Sequence, residues 1–169
     1  MPDFPPSSIN SLSQIYETPP IPLPQTASKT IFQLQNPASY RGAPAGFIIT
    51  DIYGIVVVAI GAVANATKLK VIATDAAGTA LTAVDLCATL DINALAKGYQ
   101  LAIDGTLADA MVDNAFGVHV GMAGQINIGF GSTANLQVDC TGSDGGGGMV
   151  KWFLVGRPSY GVTVYPTVV

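Results

Sequence analysis

The chain has 169 residues, of which 49% are hydrophobic and only 11% charged, with a formal net charge of −4. Soluble domains ordinarily carry roughly 25% charged residues, so a lone copy would expose wide, weakly polar surfaces that burial against partner subunits would remove. The seven Lys and Arg form no basic run, Lys68 and Lys70 being the closest lysines, and nucleic-acid binding, which needs clustered cations, is disfavoured.

Residues 1–44 hold nine of the eleven prolines, the other two being Pro158 and Pro166. A segment this rich in proline cannot build its own core, so 1–44 reads as an extended N-terminal arm and 45–169 as a β-domain. The start, Met1-Pro2-Asp3-Phe4-Pro5-Pro6, lacks the basic residues and apolar core of a signal peptide. The longest apolar stretch, 54–64, falls short of the roughly 20 residues that cross a bilayer. The expectation is therefore a soluble protein made in the cytoplasm, without a membrane partner. Within the arm, Pro19-Pro20-Ile21-Pro22-Leu23-Pro24 favours polyproline II, because each ring fixes φ and removes a donor. Phe4, Ile9, Leu12, Ile15, Tyr16, Ile31, Phe32 and Leu34 are spaced among the prolines. A solvated linker does not need such side chains, and they read as anchors for pockets on a partner. An SH3-type ligand would carry a flanking basic residue, which this stretch lacks.

From Phe47 onward the pattern is β. Residues 54–60 form a β-branched run suited to a central strand, and 68–72 alternate polar with apolar. Asp75-Ala76-Ala77-Gly78 supplies turn chemistry before a strand expected over 79–83. Residues 85–92 fit either a strand or a short helix, and 93–97 fit one helical turn ending at Gly98. A strand over 99–103 runs into Asp104-Gly105, and 107–112 is the best helix candidate. Strands follow over 116–122, 125–130, 135–141, 149–155 and 161–165. About eight to ten short strands at this spacing indicate a β-sandwich or jelly roll.

Residues with chemical potential are sparse. His119 is the single histidine, and Cys87 and Cys140 are distant in sequence; together they do not supply a structural zinc set, and two buried thiols are expected. No serine sits in a Gly-x-Ser-x-Gly elbow that could use His119 as base, so His119 is expected to face solvent or an interface. The run Asp144-Gly145-Gly146-Gly147-Gly148 lacks the Lys and Ser/Thr of a phosphate loop and reads as a hairpin loop. Calcium at Asp139 and Asp144 would have too few carboxylates. No catalytic residue, cofactor or metal site is assigned.

Two resemblances follow from particular residues. Gly129-Phe130-Gly131-Ser132-Thr133 resembles the glycine-rich C-terminal motif of trimeric dUTPases, and Val84-Asp85-Leu86 and Ile103-Asp104-Gly105 resemble other segments of that family. The chain departs from it, because 36 residues follow Thr133 and the Pro-Arg-Ser-Gly and Asp-x-x-Tyr-Arg-Gly patterns are absent. The segment Gly148-Met149-Val150-Lys151-Trp152-Phe153-Leu154-Val155-Gly156-Arg157-Pro158 looks like the closing strand of small tailed-phage virion proteins. Thr89-Leu90-Asp91-Ile92, Gly98-Tyr99 and Ile103-Asp104-Gly105-Thr106 share that texture. The implied family is the capsid decoration, or cement, proteins of tailed bacteriophages. The resemblance implies trimers of β-sandwich subunits on the capsid surface, with the major capsid protein as partner. Phage fibre and tail proteins share the texture, so a receptor- or glycan-binding module is the alternative, using aromatic side chains such as Tyr99, Tyr160 or Tyr165.

Overall fold

The β-branched run at residues 54–60 lies largely inside a longer strand, β4 (Ala45–Val58), whose side chains alternate between the core and an outer face. The computed structural model describes residues 12–23, 27–37, 45–114, 119, 121–142, 147–159 and 161–167. Before β4 come β1 (Gln14–Glu17), β2 (Ile21–Pro22) and β3 (Ser28–Gln35). After it come β5 (Ala66–Ala73), β6 (Val84–Asp85), β7 (Leu90–Asp91), β8 (Gln100–Ala102) and β9 (Val112–Asn114). The last four are β10 (Ile126–Phe130), β11 (Thr133–Cys140), β12 (Met149–Pro158) and β13 (Thr163–Pro166).

These strands make two antiparallel sheets. Sheet A runs β1-β12-β4-β8-β9, with β10 also against β4 and β2 against β12; sheet B runs β13-β3-β11-β5-β6, with β7 against β5. No helix occurs among the described residues, and the all-β expectation holds. One core lies between the sheets. Phe47, Ile49, Ile52, Val56, Val150, Trp152 and Leu154 enter it from sheet A, and Phe32, Leu34, Leu69, Leu136 and Val138 from sheet B. Trp152 is fully buried. Its ring fits because β4 carries Gly54 beside it: a Cβ there would lie 2.6 Å from Val150 Cγ1 and 3.0 Å from the indole. A glycine thus opens the β-branched run at the point where the largest core side chain crosses.

The arm requires correction. Residues 28–35 are not a tether leading to a separate domain, because β3 is an interior strand paired with β11 on one side and β13 on the other. Ile31, Phe32 and Leu34 therefore fill this chain's own core rather than a partner's pockets. The physical reason is the period-two pattern of Phe32-Gln33-Leu34-Gln35, which makes one strand face apolar. A register shift opposite Leu136 and Gln137 leaves Ile31 as the extra residue, so Ile31 and Phe32 both turn inward. Upstream, β1 and β2 lie along the edge of β12. Between them, the Thr18 amide donates to the Trp152 carbonyl at 3.0 Å and the Thr18 hydroxyl accepts the Trp152 amide at 3.0 Å. A boundary at residue 44 therefore cuts through the fold.

Both helix candidates fail for want of length, since a single turn fixes several residues for one hydrogen bond. Residues 93–97 form a turn with Ala94 at φ 54° and Gly98 at φ 96°. Residues 107–112 form a turn leading into β9, where the Ala88 amide donates to the Asp109 carbonyl and the Met111 amide to the Ala88 carbonyl. The strand expected over 79–83 reduces to one bridge between Thr74 and Ala80. That expected over 116–122 lies mostly outside the described residues.

Phe32 distinguishes the two views of the N-terminal region. Phe32→Ala is expected to lower the stability of the whole fold by about 3–5 kcal/mol, read as the urea unfolding midpoint; a free arm would leave the midpoint unchanged. Gly54→Ala is expected to cost about 1–3 kcal/mol through overpacking against Trp152, measured in the same way.

Candidate interaction surfaces

The sequence-derived anchors separate into three groups. Phe4 and Ile9 lie outside the described residues. Ile31, Phe32 and Leu34 are core. Leu12 and Ile15 are exposed, at 76% and 68%, on a segment held against β12. Tyr16 points the other way, with its ring 6.2 Å from that of Phe47 and its hydroxyl bonded to the Gln14 side chain. Burial raises the Tyr16 phenol above its ordinary pKa.

Ile15 begins a connected outer face on sheet A. It sits opposite Val155, and Glu17 sits opposite Phe153. Lys151 bonds Glu17 at 3.0 Å and places its ammonium 5.2 Å from the Phe153 ring centroid. Phe153 stacks on Tyr53 at 4.9 Å, and Tyr53 meets the His119 ring at 4.3 Å. His119 Nε2 lies 2.5 Å from Asp51 Oδ2. The Tyr53 phenol is pushed up by burial, then by the Asp51 and Glu17 carboxylates. This grouping was only half visible in sequence. Asp51 and Tyr53, two apart on one strand, must share a face, but the partners brought by β12 and β1 depend on register.

The outer face of sheet B is polar. Gln33 donates to Asn135 at 3.2 Å, and Gln137 to the Thr30 hydroxyl at 3.2 Å. Lys68 pairs with Asp85 at 2.7 Å, and Lys70 with Asp139 at 3.3 Å. Tyr165, half exposed, lies opposite Gln33 at the sheet margin. Asp139, weighed above for calcium, is taken up by Lys70 and by the Ser28 hydroxyl, which donates to it at 2.6 Å. Burial pushes the Asp139 carboxyl up, but the Ser28 and Lys70 bonds outweigh it and hold the group below its ordinary value. Asp144 and Tyr160 lie outside the described residues, and Tyr99 is partly buried against the core.

Among the described residues, no group of three or more His, Cys, Asp or Glu could hold a metal ion. Cys87 and Cys140 are buried and not joined by a disulfide, as expected of two core thiols, and burial raises the Cys87 thiol. In the glycine-rich segment 129–133, Phe130 belongs to the core and Gly131 packs so closely on Asp75 and Ala76 that a Cβ would overlap their backbone. The Gly131 amide donates to the Thr74 carbonyl at 2.8 Å. Here Gly131 serves a tight strand-to-strand turn. A cleft of about 270 Å³, open to solvent, lies between β10 of sheet A and β5–β6 of sheet B. Sequence reading missed it because its walls come from four separate segments. No protein-family model, curated protein or solved structure matches the chain.

The depressed Asp139 carboxyl gives a pH dependence of definite sign. Its folded pKa lies below the unfolded value of about 3.9, so its contribution is complete above that value and is lost as pH falls through the folded pKa. Asp139→Asn is expected to lower stability at pH 7 by at most about 1 kcal/mol. The cost should vanish toward strongly acidic pH, as read from urea midpoints at neutral and acid pH.

Proposed function

We propose that the chain is a non-enzymatic virion structural protein, a capsid decoration protein of a tailed phage, made in the host cytoplasm. In this reading the two sheets form a jelly-roll body that acts as a homotrimer on the capsid surface, with the major capsid protein as partner. The observation that carries it is the exposed pair Leu12 and Ile15, presented beside β12 and followed by Pro19-Pro20. Two large aliphatic side chains in water at a sheet edge have no role in the chain's own core. Seated in lattice pockets, each would contribute about 1.5–3 kcal/mol. A protein that binds the assembled shell but not loose subunits stabilises the shell by mass action, and a trimer raises the effective concentration of each contact.

The Tyr165 surface favours a second reading. An exposed aromatic ring beside the Gln33–Asn135 amide pair offers stacking and hydrogen bonding together, as a fibre-type glycan-binding module would need. The two readings separate experimentally. Leu12→Ser combined with Ile15→Ser is expected to leave the unfolding midpoint within about 0.5 kcal/mol of wild type, as exposed substitutions do, and to lower capsid occupancy at least about tenfold. Unchanged occupancy, together with glycan-array binding abolished by Tyr165→Ala, would replace the first reading with the second.

A further inference from the structure

The cleft between β10 and β5–β6 is lined by Val71, Val84, Leu86, Leu107, Ile126 and Ile128 and has no charged side chain in its wall. Val84 and Leu107 on its rim are each about half exposed, as is Leu81. We propose that this cleft is the docking site for the chain's own residues 1–11, with Phe4 as the side chain that enters it.

Three observations select this occupant. The first is register. Gln14 is opposite Gly156, Gly156 opposite Ile49, and Ile49 opposite Ile126. The chain upstream of β1 therefore departs from the row of the sheet in which the cleft floor lies, three strand spacings away. Continuing N-terminally, Ser13 and Leu12 head toward the rows of Asn127 and Ile128. The second is length. Three spacings amount to about 14 Å, whereas eleven residues span about 34 Å in polyproline II. That leaves several residues to turn across the end of the sheet and enter. The third is chemistry. Residues 1–11 carry Met1, Phe4, Ile9 and three prolines, with Asp3 as their one charged side chain. This matches a wall without charges, and the prolines reduce the entropy lost on docking.

The proposal concerns the free protein and does not depend on what it assembles with, so its test uses no capsids. The full chain is made with the photo-cross-linker p-benzoylphenylalanine in place of Phe4, irradiated in dilute solution, and mapped by peptide mass spectrometry. The expected product has the mass of one chain and joins position 4 to residues in 81–86, to Leu107 or to residues 126–129. It is lost in Val84→Asp and in Leu107→Asp, two rim positions exposed enough to accept the charge without loss of fold. No cross-link, a cross-link to the Tyr53–Phe153 face, or a product joining two chains would each overturn it.

Discussion

The pairing of β12 with β4 along the full length of β12 is the contact on which the rest of the molecule depends. It brings Trp152 beside Gly54 at the centre of the core and leaves the opposite edge of β12 free for β1 and β2. Thr18 then exchanges two hydrogen bonds with the Trp152 backbone, tying the first described residues to the last long strand. Sheet A thus joins the two ends of the chain and cannot be completed from local contacts. Its formation carries the loop-closure cost of distant pairing. The turn from β10 to β11, tight at Gly131, carries the chain from one sheet to the other, since β10 pairs in sheet A and β11 in sheet B.

The core and the two outer faces follow from one alternation read at different composition. On β11 the inward residues are Ala134, Leu136, Val138 and Cys140, and the outward ones are Asn135, Gln137 and Asp139. On β12 the inward residues are Val150, Trp152 and Leu154, but the outward ones include Phe153 and Val155 beside Lys151. Sheet B therefore satisfies its outer face with amides and ion pairs. Sheet A presents aromatic and aliphatic groups with few charges. A chain with so little charge cannot supply two polar faces, and the apolar one is the side on which Ile15 projects.

Six of the thirteen described strands were legible in sequence because their alternation is clean: β5, β8, β10, β11, β12 and β13 fall close to the expected strand segments. The N-terminal region misled because proline density describes a neighbourhood, whereas strand formation is decided residue by residue. Between Pro24 and Pro37 the chain has room for eight uninterrupted strand residues, and it uses them for β3. In β1 and β2 the prolines act as edge devices. Pro19 and Pro20 divide the pairing along β12 and offer no amide to a further strand. The cleft and the His119–Asp51–Tyr53–Phe153 series were not legible, because each depends on register between strands far apart in sequence. Nothing in Gly117-Val118-His119 says which carboxylate will meet the imidazole.

The charges that remain on sheet A are placed so that they do not compete with the apolar ones. Glu17 pairs with Lys151 and Asp51 with His119, at either end of the stacked Tyr53–Phe153 pair. Glu17, Lys151 and Asp51 are each met within the chain, whereas Arg157, further along the outer side of β12, has its Nε buried without a hydrogen-bond partner among the described residues. The result is an apolar centre with a paired polar rim, the arrangement that distinguishes the middle of a protein interface from its margin. Binding through such a face would draw its free energy from area removed from water and depend little on ionic strength. Ile15 extends the same apolar character to the edge of the sheet.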